Sequence, residues 1–187
     1  RRLQEGLAGP PALPAGVGPD YRERLATTIR GWPRLDRWCV WVEPAASSDR
    51  FGALWLQAVE RALAHWQQLL PIERVSDPDA AQVRIRRRRP PLITGPDGRP
   101  RASHGRAVLT LLQVERQGRG AEEPLIEVLL SPGQRPAALE ATALHELGHA
   151  FGLWGHSDQP VDAMSRRDRA TVLWLYAQPT VFGLPAR

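Results

Sequence analysis

Two histidines and one glutamate in the C-terminal half of the chain have the spacing of a metal site. His145 and His149 are four residues apart, and Glu146 directly follows the first of them. On an α-helix such residues share one face, with Cβ atoms about 5–6 Å apart, so both imidazoles can reach one ion. Neutral imidazole nitrogens suit Zn²⁺, and the Glu146 carboxylate would lie beside it. The five-residue pattern alone also occurs in helices whose histidines only pack or contact solvent.

The residues after this pattern strengthen the prediction of zinc. Gly152 lies three residues after His149, where a helix that turns sharply needs a positive φ angle, which glycine adopts without strain. His156 comes just beyond the turn and can return to the ion as a third ligand. Three protein ligands leave the fourth position of a tetrahedral ion open to water. This is the arrangement of a catalytic zinc site.

The stretch HELGHAFGLWGHS resembles the extended zinc motif HExxHxxGxxH of the metzincin metallopeptidases, most closely their matrixin-like branch. Met164, eight residues after His156, resembles the methionine of the family's Met-turn, and SRRDRATVLWLYAQP is similar to its last helix. The resemblance spans residues 36–180 and is strongest over residues 136–180. It implies an α/β (α+β) fold with a five-stranded twisted mixed sheet and three helices. The zinc site would lie between the active-site helix and the Met-turn.

The ligand loop departs from the family pattern. Gly152 and His156 are separated by one residue more than in the family, so Gly155 stands where the third histidine would fall. His156 is the expected third ligand because the spacing to Met164 matches when counted from it, and Asp158 is the alternative. The sequence shows no cysteine switch, no tyrosine after Met164 and no His/Asp-rich segment for a second zinc or a calcium ion. These family features are therefore not expected here.

The resemblance implies a zinc-dependent endopeptidase. The imidazoles of His145, His149 and His156 would hold one Zn²⁺. Glu146 would act as general base toward a water and then as general acid toward the leaving amine. Met164 would form an apolar floor beneath the ligands, a role that differs little from that of an ordinary core methionine.

The resemblance also implies where a substrate binds. In metzincins an extended peptide adds by main-chain hydrogen bonds to the edge strand beside the zinc helix. Residues 107–112 would form that strand here, with Ala107, Val108, Leu109 and Thr110 as the substrate-binding positions. The expected partner is a peptide or protein substrate, whose identity the sequence leaves open. No nucleic-acid partner is expected, and the chain is expected to be a monomer.

Hydrophobic periodicity predicts the elements that position these residues. The predicted strands are residues 38–43, 72–75, 82–88, 107–114 and 125–131. The predicted helices are residues 51–70, residues 137–151 and a last helix that is capped at Ser165 and ends before Pro179. Residues 1–20 are rich in Pro and Gly and are expected to be a flexible segment. One metallopeptidase catalytic domain is expected over residues 21–187.

The composition excludes several classes of protein. The chain has 187 residues, 42% of them hydrophobic, which is enough for one domain with its own core. Cys39 is the single cysteine, so an intrachain disulfide framework and a cysteine-based zinc ribbon are excluded. No apolar run approaches the roughly 20 residues of a membrane helix, and the first residues lack a signal-peptide core. A secreted or cell-envelope location is implied only by the family resemblance.

Two other functions compete with the peptidase. The first is a catalytically inactive metzincin-like module that binds zinc and peptides. Glu146 argues against it, because such a module has no need of a carboxylate there. The second is a nucleic-acid binder that uses the arginine run 86–89, in a chain of net charge +5. Such runs are usually solvated strand ends that block edge pairing.

Overall fold

The computed structural model describes residues 1–7, 20–155 and 164–183. The strands are β1 (Arg2–Glu5), β2 (Trp38–Val42), β3 (Ile72–Arg74), β4 (Val83–Arg87), β5 (Ile93–Thr94), β6 (Pro100–Arg101), β7 (Gly105–Arg116) and β8 (Arg119–Leu130). The α-helices are α1 (Arg50–Gln67), α2 (Pro136–Ala150) and α3 (Arg166–Tyr176). Within the described ranges, no helix is both long enough and apolar enough to cross a membrane.

One mixed sheet of six strands has the order β1-β7-β8-β4-β2-β3. The neighbours β3, β2, β4 and β8 pair in parallel, whereas β7 is antiparallel to β8 and β1 is antiparallel to β7. β7 and β8 form a long hairpin. Its turn has positive φ angles at Gln117 (53°) and Gly118 (73°), as the tight turns of twisted hairpins require. β5 and β6 pair separately as a short hairpin.

The core forms where one face of the sheet meets α1 and α2. In β2, Trp38, Val40 and Val42 are buried, and the residues between them are half-exposed, so the strand presents one apolar face. The two helices approach closely at Gly148, where a Cβ would stand 3.3 Å from the ring of Trp66. This close packing holds α2, the helix with the predicted metal ligands, firmly against α1.

The coarse prediction of the fold class is confirmed: the described residues form a mixed α/β structure with a mixed sheet and three α-helices. The sheet, however, has six strands and not the predicted five, because residues 2–5 form β1. These residues were expected to belong to a flexible segment. Their sequence, RLQE, lacks an alternating apolar pattern, and they pair through main-chain groups, which leave no signal in the side chains. Residues 8–19 of that segment lie outside the described residues.

The start of α3 follows the sequence prediction. Ser165 caps the helix by accepting a hydrogen bond from the Asp168 amide, and the Asp168 carboxylate accepts one from the Ser165 amide. Asp168 also accepts a hydrogen bond of 2.5 Å from the Tyr21 hydroxyl. This links α3 to the chain segment before β2.

The end of α3 is tied to both the sheet and α2 through Tyr176. Its hydroxyl donates to the Phe151 carbonyl at 2.7 Å, directly after α2, and accepts from Trp38 Nε1 at 2.8 Å. Burial raises the pKa of the Tyr176 hydroxyl, which keeps the donor protonated at neutral pH. One hydroxyl therefore satisfies two polar groups that the core would otherwise leave without partners.

We expect Tyr176→Phe to lower the free energy of unfolding by about 1–3 kcal/mol, because it leaves the Trp38 indole N–H and the Phe151 carbonyl unpaired. Urea unfolding followed by tryptophan fluorescence measures this change. The m-value should stay constant, since the substitution hardly alters the area exposed on unfolding. A variant as stable as the wild type would contradict the assigned role of the hydroxyl.

Candidate metal centre

His145 and His149 lie on the last two turns of α2 with their rings close together. Their Nε2 atoms are 3.2 Å apart, and their ring centroids are separated by 4.6 Å. Two nitrogens that bind one tetrahedral Zn²⁺ at 2.0–2.1 Å stand about 3.3 Å from each other. The spacing of the two imidazoles therefore fits two positions of a zinc site.

The ring of His149 is oriented by residues that follow α2. Its Nδ1 lies 2.7 Å from the carbonyl oxygen of Leu153. A carbonyl only accepts hydrogen bonds, so Nδ1 must carry the proton, and in the neutral ring Nε2 has the lone pair. The indole of Trp154 stacks on the same imidazole, with centroids 5.4 Å apart and planes at 20°. The tautomer and the ring orientation both suit binding of a metal through Nε2.

The turn that ends α2 has the predicted conformation. Gly152 has a φ angle of +114°, and a Cβ there would stand 2.8 Å from Leu175 Cδ2. A Cβ at Gly155 would stand 2.4 Å from the Arg24 carbonyl oxygen, so this second glycine also allows a close approach of two chain segments. Gly152 thus lets the turn pack against α3, and Gly155 lets the chain after it approach the segment that contains Arg24.

The predicted third ligand, His156, and its alternative, Asp158, lie outside the described residues. Among residues 1–7, 20–155 and 164–183, no group of three His, Cys, Asp or Glu side chains is arranged to hold a metal. Met164 is half-buried and packs against the hydrophobic core, next to the start of α3. The described part of the chain thus contains two of the proposed ligands and the predicted Met-turn methionine.

The side chain of Glu146 lies between its own helix, α2, and the start of β7, and only 8% of the residue's surface is exposed. The backbone N–H of Ala107 donates a hydrogen bond to its carboxylate. Burial disfavours the charged form and outweighs this hydrogen bond, raising the pKa of Glu146 to about 7. A carboxylate with this pKa can both accept and release a proton near neutral pH.

Gly105 makes this position of Glu146 possible. A Cβ at Gly105 would stand 2.6 Å from Thr142 Cγ2 and 2.8 Å from Glu146 Cγ. Any side chain there would push α2 away from β7 or displace the carboxylate. Gly105 was not among the predicted site residues, although a glycine at the start of a strand can indicate a close backbone approach.

The four predicted substrate-binding residues all lie in β7 but differ in their surroundings. Ala107 donates its amide to Glu146, and Val108 follows it as a half-buried residue. The Leu109 carbonyl accepts a hydrogen bond of 2.8 Å from Gly6, and Thr110 is in register with Glu5 of β1. Part of the predicted substrate edge is therefore paired with the N-terminal segment of the same chain.

Two residues of the arginine run are engaged within the fold. Arg86 pairs with Glu127 at 3.0 Å and lies over the ring of Trp41, and Arg87 pairs with Asp49 at 2.6 Å. These contacts join β4 to β8, to β2 and to the start of α1. They favour a structural role for this part of the run over recognition of nucleic acid.

Comparisons with known proteins add no identification. The sequence matches no model of a known protein family, and no curated protein matches it. The function must therefore be inferred from the residues of the site and their geometry.

We expect the burial of Glu146 to make the metal-free protein less stable as the pH rises. The pKa of its carboxyl is about 7 in the folded chain, against 4.5 for an ordinary glutamate, so the unfolded chain releases this proton first. Relative to Glu146→Gln, whose side chain does not titrate, the wild type should lose roughly 2–3 kcal/mol of unfolding free energy between pH 5 and pH 8.

Urea unfolding of both proteins in the presence of a chelator measures this difference, and titration of the other groups largely cancels between them. A difference that stays constant from pH 5 to pH 8 would show that Glu146 is not desolvated in the folded protein.

Proposed function

We propose that this protein is a zinc-dependent endopeptidase with a metzincin-like catalytic domain, which hydrolyses peptide bonds in peptide or protein substrates. The observation that supports this most is the arrangement on α2. Two imidazoles stand at ligand spacing, 3.2 Å apart, and a buried carboxylate with a raised pKa follows the first of them. Few functions other than metal-assisted hydrolysis make use of such a combination.

His145 and His149 would hold the ion through Nε2, and His156, or Asp158 as the alternative, would supply the third ligand. Bound Zn²⁺ supplies a Lewis acid that polarises the scissile carbonyl and lowers the pKa of a water. The Leu153 carbonyl keeps the proton of His149 on Nδ1. Trp154 stacks on the imidazole and covers one face of it, which limits ring rotation.

Glu146 would transfer the proton in this reaction. Its carboxylate accepts a proton from the attacking water and donates it to the nitrogen of the leaving amine as the C–N bond breaks. In the metal-free chain, burial raises the pKa of this carboxyl to about 7, and the same burial would oppose the lowering that a bound cation causes. The hydrogen bond from the Ala107 amide keeps the carboxylate at the start of β7, beside the strand on which a peptide would lie.

The substrate would bind as an extended strand along β7. Ala107 donates its amide to Glu146, and Ala107 and Val108 precede the part of the strand that pairs with β1. Main-chain hydrogen bonds to such an edge fix the direction and register of a peptide, with little dependence on its side chains.

Zinc binding tests the first part of the proposal. Loss of a residue that only hydrogen-bonds to a metal ligand costs roughly 10- to 100-fold in metal affinity. We expect His149→Ala to weaken zinc affinity by more than this, because it removes a direct ligand. His65→Ala is the matched control, since this histidine lies on α1 and is exposed. Competition with a fluorescent chelator gives both affinities. Equal zinc affinity in the wild type and His149→Ala would refute the site.

Peptide cleavage tests the second part. We expect the zinc-loaded wild type to cleave members of a diverse peptide library, and Glu146→Gln to lower kcat/KM by roughly 10²–10⁴-fold, because the proton acceptor is lost. Glu140→Gln is the matched control. Glu140 lies on the same helix, but its carboxylate pairs with Arg61 at 2.7 Å, so its loss should leave cleavage intact.

Mass spectrometry of the products, at zinc occupancy matched between variants, identifies the cleaved bonds. If all three zinc-loaded proteins bind peptides and cleave none, the inactive peptide-binding module replaces the peptidase as the function. Binding of nucleic acid that weakens steeply with salt, without any affinity for peptides, would favour the third function.

A further inference from the structure

The N-terminal strand β1 occupies the outer edge of the main sheet. Glu5 is in register with Thr110, Gln4 with Leu111 and Arg2 with Leu112. Two further main-chain hydrogen bonds extend this pairing. The Gly6 amide donates to the Leu109 carbonyl at 2.8 Å, and the Gln113 amide donates to the Arg1 carbonyl at 2.7 Å. Residues 109–113 of β7 are therefore engaged by the chain itself.

The direction of β1 is the one that a bound peptide would have on this edge. β7 begins beside Glu146 and runs away from it, since Gly105 and Ala107 contact that side chain. β1 is antiparallel to β7, so it approaches Glu146 from Arg2 to Gly6. At Gly6 it lies beside Leu109, two residues from Ala107. A peptide that runs antiparallel along β7 past Glu146 needs the same main-chain groups for its N-terminal part.

The hold of β1 on the sheet is weak. None of residues 1–7 is fully buried: Leu3 and Leu7 are half-buried and pack against the core, Gln4 is half-buried, and the others are exposed. The register also shifts between Arg2 and Gln4. The ion pair between Arg2 and Glu5 is more than 60% exposed at both side chains, and such pairs stabilise little. The Gln4 side chain accepts one hydrogen bond, of 3.1 Å, from the Ile29 amide. A strand that is short, irregular and at most half-buried is one that a competing peptide can displace.

We propose that β1 is a displaceable strand that covers residues 109–113 of the β7 edge, so that extended peptides bind there only in competition with the chain's own N-terminal segment. The inference rests on the proposed function in so far as β7 is taken as the substrate edge. The chain then limits its own activity by strand pairing, and any event that releases β1 increases access to the site.

An engineered disulfide that locks β1 to β7, and that can be reduced again, provides the test. Glu5 and Thr110 face each other across the two strands, next to the hydrogen-bonded pair of Gly6 and Leu109, so they form a non-hydrogen-bonded pair. Such pairs have Cα atoms about 4.5 Å apart, which a disulfide can bridge. The full chain would carry Glu5→Cys and Thr110→Cys, with Cys39→Ser to remove the free thiol and Glu146→Gln to prevent cleavage.

The probe is a fluorescein-labelled peptide with the sequence of residues 1–7, RRLQEGL, and binding is followed by fluorescence anisotropy. We expect the oxidised, locked protein to bind it at least tenfold more weakly than the same protein after reduction. Hydrogen exchange gives a second measurement. Adding the peptide should slow exchange of the amides of residues 109–113 in the reduced form and leave it unchanged in the oxidised, locked form. Equal affinity in both forms, or no binding to the reduced form, would overturn the proposal.

A second variant weakens β1 without a covalent bond. Gly6→Pro removes the amide that donates to Leu109, and proline cannot adopt the φ angle of +73° found there. Loss of this bond and of the local conformation should raise peptide affinity several-fold, roughly up to tenfold. Gly183→Pro is the matched control, because Gly183 also has φ +73° and its amide donates to Glu122. A rise in affinity with both variants would contradict a specific role of β1.

The outcomes separate this inference from the proposed function. The disulfide variant is also made with native Glu146, which is called the Glu146 form. If oxidation abolishes peptide binding while the Glu146 form binds zinc and cleaves no peptide, the strand competition is supported and the peptidase is refuted. Cleavage by the Glu146 form at the same rate before and after locking would support the peptidase and refute the competition.

Discussion

The close approach of α2 to the first residues of β7 is the contact on which the proposed site depends. It requires a residue without a side chain at position 105, because a Cβ there would overlap Thr142 and Glu146. The approach excludes water from the Glu146 carboxylate and gives it one hydrogen-bond donor, the Ala107 amide. A buried carboxylate with one donor is costly to charge, and this cost raises its pKa toward neutrality. The same contact places the ligand helix beside a strand to which a peptide can add.

A second set of contacts holds the C-terminal end of α2 and the imidazole of His149. Leu153 and Trp154 fix the ring of His149 after the turn at Gly152. Tyr176 ties the carbonyl that follows the helix to the buried indole of Trp38. Because these partners come from β2, α3 and the loop after α2, several parts of the core hold the end of the helix and the ring of His149 in place. Metal ligands that are oriented before the ion binds lose less conformational freedom on binding it.

Under the proposed function, the outer edge of the sheet must meet two opposing requirements. An unpaired edge strand is open to association with other chains, and proteins usually cover or interrupt such edges. A peptidase that recognises main-chain groups, however, needs part of an edge to remain accessible. A short strand such as β1 satisfies both requirements, because it covers residues 109–113 and its removal costs little free energy. Pairing of this kind protects the edge in the absence of peptide and yields to a longer or better-matched strand.

The sequence by itself determined the features that arise between near neighbours along the chain. These are the helix that presents His145 and His149 on one face, the positive φ angle of Gly152 and the capping of α3 by Ser165. Each follows from spacings of three or four residues or from the conformational range of one residue, so the local pattern suffices. The mixed α/β class could also be predicted from the order of strands and helices in the sequence, because this order restricts how their apolar faces can be buried.

Only the tertiary structure decided the environment of these residues. The burial of Glu146 depends on Gly105 and Ala107, about 40 positions away, and the covering of β7 depends on residues 2–5, more than 100 positions away. Those contacts form between main-chain groups or through the absence of a side chain. Neither leaves a periodic pattern of residue types, since every residue except proline offers the same amide and carbonyl to a neighbouring strand.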